Sequence, residues 1–234
     1  SAVVVVATVR ALKMHGGLAK DELLHEDLAA LERGLPNLLR HVANMKDVYG
    51  LPTVVAINRF PTDTEAELDL VRERCRELGA EAALSDVWAQ GGAGGTELAE
   101  AVVKLCEEPG DFRFAYGLDG GIEDKLRAVV QRVYRGRDID VLPEAAAQID
   151  RLTALGMAHM PVCIAKTQYS FSDDKTKLGA PEDFTVTVRE VKVSAGAGFI
   201  VALTGDVLTM PGLPKLPAAE RIDVDSTGKI SGLF

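Results

Sequence analysis

The stretch VVVVATVRALKMHGG, Val3 to Gly17, restricts the fold more than any other part of the chain. A short, continuously apolar run of β-branched residues suits a central strand buried on both faces. The polar residues and the double glycine beyond it then fall where open α/β sheets place their ligands, past the carboxyl end of a strand. On periodicity alone the better-supported reading is a buried strand followed by an ordinary loop.

The pattern repeats. A helical stretch from about Lys20 to Tyr49 carries leucines and a valine at three- and four-residue spacing, with Pro36 beginning a second helix or kinking a long one and Gly50 as its stop. LPTVVAIN (Leu51 to Asn58) reads as a second buried strand, ending in Asn58-Arg59-Phe60-Pro61. Thr62 or Thr64 caps a helix over Glu65 to Leu78. Ala80 to Val87 reads as a third strand, leading to Trp88, a Gly91–Gly95 loop and a helix from Glu97 to about Glu107. Alternation of this kind implies parallel strands joined by right-handed crossovers. Three loops, RALKMHGG, NRFP and WAQGGAGG, would then meet along one sheet edge.

Pro109-Gly110 marks a boundary, so residues 1–107 read as one unit and 108–234 as a smaller α+β domain. Helices are expected over Ile122 to Tyr134 and Leu142 to Leu155. Strands are expected at Pro161 to Lys166, Phe184 to Val193 and Gly198 to Thr204, with a turn at Asp225 to Gly228.

Composition narrows the function. The net charge of −9 argues against a phosphate-backbone binder, leaving room for a locally basic pocket. Three separated cysteines, Cys75, Cys106 and Cys163, offer no zinc spacing and fit a reduced, cytoplasmic setting. No apolar run approaches the ~20 residues that span a bilayer.

Aromatic residues are only 5 % of the chain, yet Phe60 and Trp88 each follow a strand end, where they either sandwich a flat heterocycle or pack against the next domain. An amide at a strand end, Asn58, either reads an adenine edge or shapes the loop before Pro61. Gly91 to Gly95 precedes a helix, the general setting of an anion site, but GGAGGTE matches no dinucleotide or Walker A pattern. Arg10 and Lys13 suit an anionic group and His15 a proton near neutral pH, with a solvated basic loop as the alternative. His25 and His41 read as surface or packing residues, and the YSFSDDK cluster as a polar turn.

VATVRALKMHGG, VVAINRFPTDTEAEL, SDVWAQGGAGG, PVCIAKTQYS and the stretch from TMPGLPKLP to the terminal GLF resemble the formate–tetrahydrofolate ligases over essentially the whole chain. The match is to the carboxyl-terminal part of that family, whose glycine-rich P-loop and lysine have no counterpart here. The resemblance implies a P-loop NTPase-like parallel sheet, present in part, followed by the α+β domain. It also implies ATP-dependent ligation of formate to tetrahydrofolate through formyl phosphate, giving 10-formyltetrahydrofolate, ADP and phosphate. ATP with Mg²⁺, a monovalent cation (potassium or ammonium), a homotetramer and a missing amino-terminal part of the same enzyme belong to the same expectation. By position, Phe60, Pro61 and Trp88 match folate-site residues, and Leu84 lines the same pocket. Asn58, Gly91 and Gly92 are assigned to the nucleotide side, and Arg10 and Lys13 to formyl-phosphate or folate-tail charges. The competing expectation is a non-catalytic fragment acting as an assembly or folate-binding module.

Overall fold

A computed structural model describes residues 1–205, 207 and 216–232. The expected match at TMPGLPKLP and the last residues of GLF fall largely outside these.

β1 (Val3–Ala7) runs directly into α1 (Val9–His15). Residues read above as a loop therefore form a helix, because Thr8 adopts an extended conformation and its Oγ1 accepts the Ala11 amide at 3.1 Å. Turns follow, so α2 (Leu28–Ala43) begins later than expected, with the Asp27 carboxylate accepting the Ala30 amide at 2.7 Å. Pro36 lies inside α2 and does not divide it; a π-helical turn, Asn44–Val48, continues it to the stop at Gly50. β2 (Thr53–Asn58), α3 (Glu65–Glu77) and β3 (Glu81–Ser85) come next. Thr64, rather than Thr62, caps α3 in a reciprocal box with Glu67. A single turn, α4 (Val87–Gln90), a 3₁₀ segment over Gly91–Gly95 and α5 (Thr96–Glu107) complete this part.

β1, β2 and β3 form one parallel sheet in that order, with Val5 beside Val55 and Ile57 beside Leu84. The expectation that β1 is central and doubly buried is corrected. β2 takes that place, while β1 pairs only with β2 among the described residues and leaves Val6 66 % exposed. An unbroken valine run signals strand but not position within a sheet. Helices α1, α2 and α3 pack a core of Leu12, Leu31, Leu35, Ile57 and Leu68 on one face, and α5 places Ala101 against Val54 and Ala83 on the other.

Gly16 and Gly34 let α1 and α2 touch backbone to backbone. A Cβ at Gly34 would overlap the Leu12 carbonyl, and one at Gly16 the Ala30 carbonyl.

α6 (Ile122–Val129) passes into a π-helical turn, Val130–Tyr134, and then β4 (Asp138–Val141), a strand not anticipated above. After α7 (Pro143–Ala154) come β5 (Val162–Ala165), β6 (Thr185–Ser194) and β7 (Phe199–Thr204). The second sheet has the order β4-β6-β7-β5, with β6 and β7 antiparallel and the outer pairs parallel. It encloses its own core of Leu126, Ile149, Phe184, Val186 and Ile200. A short hairpin, β8 (Asp223–Val224) and β9 (Ile230–Ser231), turns at Asp225. Polar contacts join the two sheets' layers: Asn37 donates to Gly179 O at 2.8 Å, Asn44 to Val133 O at 2.9 Å, and Arg40 pairs with Glu182 at 2.7 Å.

Candidate active site

The parallel sheet brings the carboxyl ends of β1, β2 and β3 to one edge, and a cleft of about 440 Å³ lies there. Arg10, Leu24, Asn58, Arg59, Phe60 and Trp88 line it, with Pro61 and Thr62 between them. Its volume falls in the range of small-molecule sites, ~300–1,000 Å³. The lining is mostly apolar, with few polar groups to fix an orientation.

The loop that follows β2 is held rigidly. The Phe60 amide donates to Asp63 Oδ2 at 2.8 Å, and the Asp63 amide donates back to Phe60 O at 3.0 Å. Burial raises the Asp63 carboxyl above the ordinary carboxylate range, opposed by the Phe60 amide. From α1, the Arg10 guanidinium lies over the Phe60 ring, 4.2 Å from its centroid, and donates to Thr62 Oγ1 at 3.2 Å. One face of Phe60 is thereby covered by a cation, an arrangement worth ~0.5–2 kcal/mol. Arg10 Nε is buried and has no hydrogen-bond partner, so an acceptor brought to it would gain a charged hydrogen bond.

Trp88 sits on α4, the turn after β3, and is 80 % exposed. This turn is closed on itself: the Asp86 amide donates to Gly94 O at 2.9 Å and Gln90 donates to Asp86 Oδ2 at 2.7 Å. Gly94 approaches Asp86 so closely that a Cβ would overlap the Asp86 carbonyl. The glycine-rich segment therefore braces the turn that carries Trp88. Its first two glycines, Gly91 and Gly92, are exposed, have open space around them and do not line the cleft. Gly91 has φ +59°, which favours glycine on backbone grounds alone.

The sequence-derived residues thus divide. Arg10, Asn58, Phe60, Pro61 and Trp88 meet in one cleft. Leu84 pairs with Ile57 within the sheet and packs against the core beneath, outside the lining. Lys13 faces the other way: it is 1 % exposed, and its ammonium lies 2.8 Å from Glu67 and donates to His25 O at 2.7 Å. Its charge is balanced within the fold. His15 also leaves the cleft, its Nδ1 accepting the Gly179 amide at 3.2 Å, and burial lowers its pKa. Leu24 was not anticipated as part of the site; it lies in a turn where helix periodicity was expected.

Among the described residues no group of three or more His, Cys, Asp or Glu could hold a metal ion. The described helices include none long and apolar enough to cross a membrane. The arrangement is suited to gripping a flat, partly polar ring system between aromatic surfaces, with Arg10 and Arg59 in the lining. Compared with known families, the chain matches the family model described as formate–tetrahydrofolate ligase over residues 1–234, its whole length.

Proposed function

Because the chain belongs to the formate–tetrahydrofolate ligase family, we propose that the cleft at the ends of β1, β2 and β3 holds the flat rings of tetrahydrofolate during ATP-dependent formylation. The observation that carries this reading is the Arg10–Phe60 stack with Trp88 on the same cleft. A ring system entering there meets the uncovered face of Phe60 and the exposed indole, while Pro61 stiffens the loop between them.

In the reaction, a formate oxygen attacks the γ-phosphorus of ATP and ADP leaves. The N10 amine of tetrahydrofolate then attacks the carbonyl carbon of formyl phosphate; the C–O bond to phosphate breaks and the amine loses its proton. Phosphorylation supplies formate with a leaving group, and the intermediate must be kept from water. This chain's part is to orient the amine-bearing rings. Arg10, whose Nε–H has no partner, supplies a charged donor to a carbonyl or negative charge in the cleft. Lys13 holds α1 in position instead of contacting substrate. The Asn58 amide reads a polar edge of the ring held beside Phe60, and Gly94 braces the Trp88 turn. Residues 1–107 form the folate-holding unit and 108–234 the second unit, in a cytoplasmic homotetramer using ATP, Mg²⁺ and a monovalent cation.

The test is tetrahydrofolate binding and formylation with Trp88→Ala. Each stacked ring contributes ~1–3 kcal/mol elsewhere, so affinity falls about 5- to 150-fold with the fold intact. Unchanged affinity would remove the stacking assignment. Tetrahydrofolate binding by the chain without formylation would instead favour a binding or assembly module.

A further inference from the structure

A second cavity, of about 190 Å³, lies where α1 and α2 meet the second sheet's layer. His15, His41 and Asn44 line it from one side, and Tyr134, Lys166 and Ser170 from the other. Three of these residues are basic types, and no aspartate or glutamate is in the lining. Lys166 is held by carbonyls alone: its ammonium donates to Thr167 O at 2.9 Å and to Ser170 O, and it stands 5.2 Å over the Tyr134 ring. No carboxylate lies within ion-pair distance of it among the described residues; Asp173 acts on it from beyond contact, so one N–H remains for a ligand. His15 accepts the Gly179 amide at Nδ1, which puts its proton on Nε2 and makes that nitrogen a donor.

Asn44 adds the opposite polarity. It is 1 % exposed; its Nδ2 donates to Val133 O at 2.9 Å, while its Oδ1 has no partner. A buried acceptor without a donor is costly, and here it borders a cavity whose one charged lining group is Lys166. The complementary ligand offers negative oxygens to Lys166 and His15 and one O–H to Asn44.

We propose that this cavity binds a small oxyanion carrying a hydroxyl group, of which hydrogen phosphate is the simplest, across the junction of the two sheets. Its size suits a single tetrahedral anion and excludes a nucleotide, which needs a site of several hundred Å³. Burial lowers the Lys166 pKa to about 8, which leaves the amine mainly protonated at neutral pH and poised to gain from an anion. Divalent cations are disfavoured by the same charge. Sulfate, fully ionised at neutral pH, matches the cationic side but brings no proton for Asn44.

The experiment is isothermal titration of the full chain with inorganic phosphate, sulfate and chloride at matched ionic strength, in the wild type, Lys166→Met and Trp88→Ala. Phosphate is expected to bind at least about tenfold more tightly than sulfate, since a site that pairs a hydroxyl rejects the analogue lacking it. Lys166→Met is expected to weaken phosphate at least about tenfold, while Trp88→Ala, altered in the other cleft, leaves it unchanged. Equal binding of phosphate and sulfate, survival of phosphate binding in Lys166→Met, or its loss in Trp88→Ala would each overturn the proposal. Circular dichroism reports whether Lys166→Met is folded; if it is not, the wild-type contrast between phosphate and sulfate decides.

Discussion

Lys13 and Glu67 form an ion pair with Nζ and Oε1 2.8 Å apart and both side chains sealed from solvent. The same carboxylate accepts the Asp27 amide at 3.1 Å and the Thr64 amide at 3.1 Å, so one buried charge gathers α1, the start of α2 and the cap of α3. Removing one partner strands the other. Lys13→Met is therefore expected to cost ~3–5 kcal/mol in urea unfolding, with Glu67→Gln in the same chain recovering part of it. A loss below about 1 kcal/mol for the single change would mean that solvent reaches the pair.

Arg10 acts through Phe60 as well as through its own charge. Arg10→Met keeps the bulk, removes the cation from the ring face and leaves Thr62 Oγ1 without its donor. The expected result is a tetrahydrofolate affinity weaker by roughly 3- to 30-fold, from a lost cation–π contact of ~0.5–2 kcal/mol together with the charge presented to the ligand. Arg10→Lys is expected to recover it only in part, because an ammonium lacks the planar stacking surface. Binding titrations of the two variants decide between platform and simple charge.

Asn58 shares the cleft of Phe60 and Trp88, while Gly91 and Gly92 do not. Asn58→Ala is thus expected to weaken tetrahydrofolate by about tenfold, the usual range for lost hydrogen bonds of ~0.5–1.5 kcal/mol each, and to leave ATP nearly unaffected. The reverse pattern, a loss confined to ATP, would move Asn58 to the nucleotide side.

His41 supplies a prediction in pH. Burial, followed by the charges of Lys166, His15 and Arg40, lowers its pKa to about 4, and its ring lies 4.5 Å from Phe171. Between pH 6.5 and 4 the unfolded chain binds this proton and the native chain does not. Its contribution to stability is therefore complete above pH 6.5 and declines as pH falls towards 4. Imidazole resonances followed by NMR should show His41 neutral at pH 5; a midpoint near 6.5 would contradict the crowded setting.

The strand–helix alternation of the first sheet was legible because its apolar runs and caps are local signals. α1 was hidden because a strand leads into it across the single residue Thr8, and a β-branched Val9 begins it. β4 was hidden by its sequence, DIDV: two aspartates stand in four residues, one paired with Arg127 at 2.8 Å and the other exposed. Within the cleft, Arg10, Asn58, Phe60 and Trp88 could be found because strand ends converge in a parallel sheet. Lys13 could not be set apart from Arg10, since its fate depends on Glu67, 54 positions away. Leu24 gave no signal of its own, because its turn was concealed under leucine periodicity.

The backbone contact between Gly34 and Leu12 has a reach beyond packing. α1 is seven residues long, with Arg10 near its start facing the larger cleft and His15 at its end facing the smaller cavity. Gly34→Ala forces the two helices apart, with an expected loss of ~1–3 kcal/mol or more in thermal unfolding. Gly34 lines neither pocket, yet the rod it pins has one end in each. Its displacement would tilt both ends together, and a single methyl group would be registered at two pockets it never meets.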